Sequence, residues 1–194
     1  NVAIAKNSTL KNCNIKDFDY GLYLSGIGVI GESNNKFTNL NIISNDIYGI
    51  FMMFTDKNIF TDIHIEKSPQ GIFTYEVNYN TFDNLYLYKN SNHGMYVYTS
   101  SNNEIINSNA EGNGNGETTD YIIYILENSD NNIIRDNEFD DSNSALAVNI
   151  EGSTGNQIYN NKFDEDAIGD DSVGNYWYNQ ATNRGNYWGE YDGE

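Results

Sequence analysis

Two histidines, one cysteine, 16 tyrosines and 28 carboxylates are the side chains of this 194-residue chain that could move a proton or hold a metal. His93 stands in the best-placed cluster, with Tyr75, Tyr96 and Tyr121 at related positions of neighbouring repeats. A histidine or tyrosine there could serve as general acid or base in β-elimination from a uronic acid sugar. That chemistry also needs a cation beside the substrate carboxylate, and Arg135 and Arg184 both fall outside the row that holds His93. His64 falls on an outward row between Asn41 and Tyr86, where a solvated or locally bonded imidazole is the simpler account. Glycoside hydrolysis would call for two carboxylates at a set separation. The acidic runs Asp136, Glu138, Asp140, Asp141 and Asp164, Glu165, Asp166, Asp170, Asp171 lie mainly in turns instead. A solvated acidic surface, or oxygen-rich coordination of calcium, suits them better than acid–base work. Copper would want His, Met or Cys together, and Cys13, His64 and His93 belong to different repeats.

The charge is unevenly placed. Residues 1–110 carry ten acids and seven lysines, a net of −3; residues 111–194 carry eighteen acids against Lys162, Arg135 and Arg184, a net of −15. Nucleic acid and anionic lipid both need clustered lysine and arginine, so both are disfavoured as partners. A hydrophobic content of 38% is too rich for a disordered acidic tail. No apolar run is long enough to span a membrane as a helix. Asn1 opens directly into polar sequence, as a mature or excised piece would. One glycosylation sequon, Asn7-Ser8-Thr9, is a weak pointer to surface exposure.

With 34 asparagines, the chain calls for a repeat search. A unit reading Asn-x-apolar-x-Asn/Asp-apolar-x-apolar starts at Ser8, Asn35, Asn58, Asn80, Asn103, Asn132 and Asn156, at intervals of 27, 23, 22, 23, 29 and 24 residues. About 13 or 14 residues into a unit comes a second run, as in Gly21-Leu22-Tyr23-Leu24, Gly49-Ile50-Phe51-Met52, Gly71-Ile72-Phe73-Thr74 and Gly94-Met95-Tyr96-Val97. The fifth unit is longer because residues Glu111 to Glu117 form a loop. The apolar positions alternate with period two, which makes short strands. A period of 22–24 residues with two or three strands fits one coil of a parallel β-helix; the Leu-rich signature of the leucine-rich repeat is missing. Asn35, Asn58, Asn80, Asn103, Asn132 and Asn156 then stack as a ladder of amides at a corner, where Asn tolerates the left-handed conformation. The glycine opening each second strand fits another corner. Seven coils make a rod roughly 34 Å long.

On the Gly-led strands, residues one and three places after Gly point inward. The outward positions form an aromatic face over five coils: Tyr23, Phe51, Phe73, Tyr96 and Tyr124, joined by Tyr75, Tyr98, Tyr20, Tyr48, His93 and Tyr121. Such a face is a contact surface for another subunit, a platform for sugar rings, or simply a sheet stabilised by its own stacking. Cys13 takes an inward position, as a buried thiol does.

The repeat resembles the right-handed parallel β-helix repeat proteins, the carbohydrate-binding and sugar-hydrolase β-helix group. The tail sharpens the likeness: Asn175-Tyr176-Trp177-Tyr178-Asn179 and Gly185-Asn186-Tyr187-Trp188-Gly189-Glu190-Tyr191-Asp192-Gly193 look like the ending of NosD-like proteins. The resemblance implies the right-handed coil and a surface or secreted protein of a kind common in archaea. It does not select among lyases, hydrolases, epimerases, adhesins, surface-layer proteins and the copper-enzyme accessory role of the namesake.

The expectation is an all-β chain: a right-handed parallel β-helix of about seven coils over residues 1–174, with a Trp/Tyr-rich extension over 175–194. The expected role is a non-catalytic extracellular or cell-surface module, a sheath or filament subunit. The alternative is a carbohydrate-binding module or a uronan lyase or epimerase. Expected partners are further copies, head-to-tail through Val2-Ala3-Ile4-Ala5 or laterally, or a glycan. Calcium is the one cofactor considered, on Asp136, Asp140, Asp141, Asp164, Asp166, Asp170 and Asp171.

Overall fold

The structure, a computed structural model, describes residues 6–26, 33–115, 117, 119–140, 146–164 and 168–189. Val2–Ala5, Asp141, Ala145, Glu165, Asp166 and the last five residues lie outside that set. Every regular element is a strand, and every strand pairing between them is parallel. The Gly-led runs form a seven-stranded sheet, Tyr20–Ser25, Tyr48–Met53, Gln70–Tyr75, His93–Tyr98, Tyr121–Leu126, Leu146–Glu151 and Ile168–Asp170, one strand per coil. The Asn-led runs form the other sheet. Its first four strands are Thr9–Lys16, Lys36–Ile43, Ile59–Glu66 and Thr81–Tyr88, and from the fifth coil each strand divides in two. The fold is therefore the expected parallel β-helix of seven coils.

A column of left-handed residues crosses the Asn-led sheet: Asn12, Asn39, Asp62, Asn84, Asn107, Asp136 and Asn160, with φ between 51° and 58°. This kink turns one sheet into two faces, so each coil has three sides. Asn and Asp suit it because a short polar side chain tolerates positive φ. Their amides also link coils on the outside, with Asn39 Nδ2 donating to Asn12 Oδ1 at 2.9 Å and Asn160 Nδ2 to Asp136 Oδ1 at 3.2 Å.

Period-two alternation puts like residues above one another in the interior. Phe37, Phe60 and Phe82 are in register and stack at 4.6 and 5.0 Å. Ile105, Ile134 and Ile158 continue that column. Leu87, Ala110, Phe139, Phe163 and Trp188 form another. Each fully buried Phe or Leu contributes about 1.5–3 kcal/mol. The tail belongs to this stack: Tyr187–Trp188 pairs with Lys162–Phe163, Tyr176 bridges to Gln157, and Trp188 lies 4.8 Å over Phe163.

Three details differ from the expectation. The loop of the fifth coil begins later, because Asn113 is buried and takes a rung of an inner corner ladder. Gly21, Gly49, Gly71 and Gly94 are absent from the positive-φ glycines, so they do not serve as left-handed turns. They answer to space: a Cβ on Gly21 would sit 2.5 Å from Ile42 Cγ2 and 2.6 Å from the Gly49 carbonyl oxygen. Cys13 is half-buried, because it lies in the first coil, whose strand pairs on one side only among the described residues.

Candidate functional site

The Asn ladder places all six expected residues together. Each side-chain oxygen accepts from the backbone N–H of the ladder residue one coil earlier, at 3.2 Å for Asn58 and 2.8–2.9 Å for Asn80, Asn103, Asn132 and Asn156. From Asn58 onward the amide N–H also donates to the next oxygen, at 3.0–3.1 Å. Asn175 of the tail ends the ladder. The left-handed residue is the one before each rung, Asn34, Lys57, Tyr79, Asn102, Asn131 or Gly155. The rung itself must aim its amide inward, so the turn falls one place earlier, on a residue facing out.

Further columns were not anticipated. Asn137, Asn161 and Asn186 form a second amide ladder. A hydroxyl column runs through Ser100, Ser129, Ser153 and Ser172, each accepting from the backbone N–H one coil earlier at 3.0–3.2 Å. Its signal was in the sequence: Ser or Thr stands three places before the rung in Thr55/Asn58, Ser100/Asn103, Ser129/Asn132 and Ser153/Asn156.

The aromatic face forms a continuous wall. Tyr23, Phe51, Phe73 and Tyr96 lie 5.2, 5.3 and 5.4 Å apart with planes within 4°, 8° and 19° of parallel. Tyr75 stacks on Tyr98 at 5.5 Å, and Tyr20 on Tyr48 at 5.6 Å. Although they point outward, the rings are half-buried by one another, and Tyr121 keeps only 9% of its surface.

His93 lies parallel to Tyr121 at 5.6 Å, with Tyr96 at 5.4 Å and Tyr124 at 5.6 Å. Tyr124 stands where Tyr75 was expected, because Tyr75 pairs with Tyr98 at the far end of the strand from His93. The His93 Nδ1 accepts from the Tyr121 N–H at 3.0 Å, so the neutral ring carries its proton on Nε2. Burial holds this imidazole below its ordinary range, against the opposing pull of Asp120. Regular stacking ends at Tyr124, whose ring stands at 78° to that of Tyr96. Burial raises the Tyr124 phenol far above its usual range, and its hydrogen bond to the Glu151 carboxylate adds to this. Asn149 donates to Glu151 Oε1 at 2.8 Å. Neither Asn149 nor Glu151 was singled out, because the sixth coil departs from the Gly-led pattern.

The described residues of the calcium set have partners within the chain. Asp170 accepts from the Ser172 N–H, Asn175 Nδ2 and Trp177 Nε1 at 3.0–3.1 Å, which ties the tail down. Asp136 holds Arg135 at 2.6 Å, and Asp164 lies 3.1 Å from Lys162. Asp171 accepts from Ser172 Oγ at 3.1 Å, and Asp140 ends the strand Glu138–Asp140. His64 sits between Asn41 and Tyr86 as expected, 3.3 Å from Glu66.

The family model described as "Periplasmic copper-binding protein (NosD)" matches residues 2–193. The chain belongs to the NosD family. No curated protein matches it significantly. Among solved structures, this NosD-family chain is similar to the alginate lyase from Paenibacillus sp. str. FPU-7, with TM-score 0.68 and 16% identity over 82% of this chain and 60% of that one. The likeness is one of fold, and the chain spans about 60% of that enzyme's length. The described residues do not suit a copper centre. Among the described residues no three of His, Cys, Asp and Glu converge. Cys13, His64 and His93 lie in the first, third and fourth coils, while Met52 and Met95 are buried in the core.

Proposed function

We propose that this chain is a non-catalytic structural module of an extracytoplasmic protein, at the cell surface or beyond it, acting as a rigid rod that spaces or assembles. One observation carries the reading: the aromatic wall is closed on itself. Parallel rings with centroids 5.2–5.4 Å apart fit only as offset face-to-face stacks, so the ring faces a sugar would need are already used. The described strands of that sheet also hold neither Lys nor Arg to neutralise a uronate. The family's periplasmic description supports a place outside the cytoplasm. Strands Thr9–Lys16 and Tyr187–Trp188 are each paired on one side among the described residues, which supports head-to-tail addition of further copies.

Electron microscopy of the purified chain, with and without calcium, tests assembly. Rods longer than one molecule are expected, and monodisperse monomers at high concentration in both conditions would count against it. Incubation with alginate and pectate is expected to give no unsaturated uronate. A second reading, action on a polysaccharide, is favoured by the Tyr124–Glu151 hydrogen bond beside a neutral His93. It predicts product that disappears in His93→Gln and Tyr124→Phe.

A further inference from the structure

The left-handed position ahead of each ladder rung holds Asn34, Lys57, Asn102, Asn131 and Gly155 in five coils, but Tyr79 in the fourth, with φ 58°. A bulky side chain is strained in that conformation. Tyr79 is 58% exposed, and its side chain neither stacks on nor hydrogen-bonds another described residue. One place earlier in the chain, the same corner is bonded coil to coil: the Asn78 N–H to Asp56 at 2.7 Å, Ser101 to Asn78 at 2.9 Å and Asp130 to Ser101 at 2.9 Å.

Beside Tyr79 a groove of about 300 Å³ runs along the axis, walled by Tyr79, Asn102 and Asn131 on one side and Thr81, Glu104 and Ile133 on the other. The Asn102 and Asn131 amides make no hydrogen bond to another described residue. Glu104 is the one charged member, and Arg135 Nη2 balances it at 3.7 Å. The groove thus offers a free aromatic ring, an aliphatic side chain, two amides and a hydroxyl, with no net charge.

We propose that this groove binds an uncharged saccharide, one sugar ring packed against Tyr79 and its hydroxyls met by the amides of Asn102 and Asn131 and the hydroxyl of Thr81. Coils rise by about 4.8 Å, so a linear sugar lying along the axis meets Tyr79, Asn102 and Asn131 in turn. An acidic polysaccharide is disfavoured, because the chain carries −18 and the groove holds no unpaired cation. The site is separate from the aromatic wall and stands whether or not the chain assembles.

Calorimetric titration of the whole chain with cellohexaose, mannohexaose and chitohexaose, and with an oligoguluronate as charged control, tests this. At least one neutral oligosaccharide binds, and Tyr79→Ala and Asn102→Ala each weaken it about tenfold or more, or roughly 1.4 kcal/mol. Phe73→Leu, on the wall, leaves binding unchanged. Tyr79→Asn restores a residue suited to positive φ, so it keeps the fold and raises the melting temperature while losing the ligand. Equal binding by Tyr79→Asn, binding of the uronate alone, or no binding of any neutral oligosaccharide overturns the proposal.

Discussion

Asn45 and Ser68 occupy successive rungs of one inner corner, two residues beyond the paired Ile43 and Glu66, yet their side chains do not meet. Two coils on, Asn90 Nδ2 donates to Asn113 Oδ1 at 2.9 Å across the same corner. Serine is too short to reach, so Asn45 Nδ2 and Ser68 Oγ are both buried without a protein partner. Ser68→Asn completes the ladder and is expected to stabilise the chain by about 1 kcal/mol, the net worth of a buried hydrogen bond. A urea midpoint equal to or below that of the parent would reject the account.

Asn132 shows what an intact rung contributes. Its oxygen accepts from Asn103 N and Nδ2, and its amide donates to Ser100 O, Ser129 O and Asn156 Oδ1, all at 2.9–3.1 Å. Asn132→Ala strands several buried groups at once and should cost about 3 kcal/mol. Chemical denaturation measures it; a loss within about 0.5 kcal/mol, the range of ordinary surface changes, would show the ladder to be incidental.

At Gly94 the constraint is steric. An added Cβ would lie 2.7 Å from the Ile122 carbonyl oxygen and 3.3 Å from Leu87 Cδ1. Because the clash is with backbone, Gly94→Ala is expected to destabilise by about 1–3 kcal/mol. A neutral or stabilising result in thermal melts would mean that the coils can slide apart at little cost.

His93 makes stability depend on pH. Burial lowers its pKa in the folded chain, with Asp120 opposing, so the unfolded chain binds that proton more readily. Its share of stability is complete above about pH 6.5, the unperturbed imidazole value, and is lost as pH falls from there toward the lowered folded value. His93→Gln, which copies Gln70 one coil earlier, removes this term. Melting curves between about pH 7 and 5 should show the parent losing stability faster than the variant; parallel slopes would contradict the assignment.

Much of this was readable because a β-helix writes its geometry as a period. The spacing of Phe37, Phe60 and Phe82 fixes both register and core, and the Asn and Asp at the kink announce their backbone by residue type. What stayed hidden depended on direction within a coil. Asn35 and its successors look like turn residues, but the turn belongs to the preceding residue, since one side chain cannot both face out at a corner and bond inward. Asn113 was hidden by its glycine neighbours. Tyr124 and Glu151 were missed as a pair because their meeting depends on ring rotation at the end of a stack, which periodicity does not encode.

The one-coil reach of every ladder bond also sets how the rod bears load. Among the described residues each strand pairs only with strands of the coil before and the coil after, and chain order equals stacking order. Tension applied at the two ends is therefore expected to peel one coil at a time, in steps of 22 to 29 residues. The Asn45–Ser68 corner is the weak link of its own ladder. Under force the molecule is expected to pay out like a tape, coil by coil from an end, and the junction of the second and third coils, which lacks that rung, resists least when its turn comes.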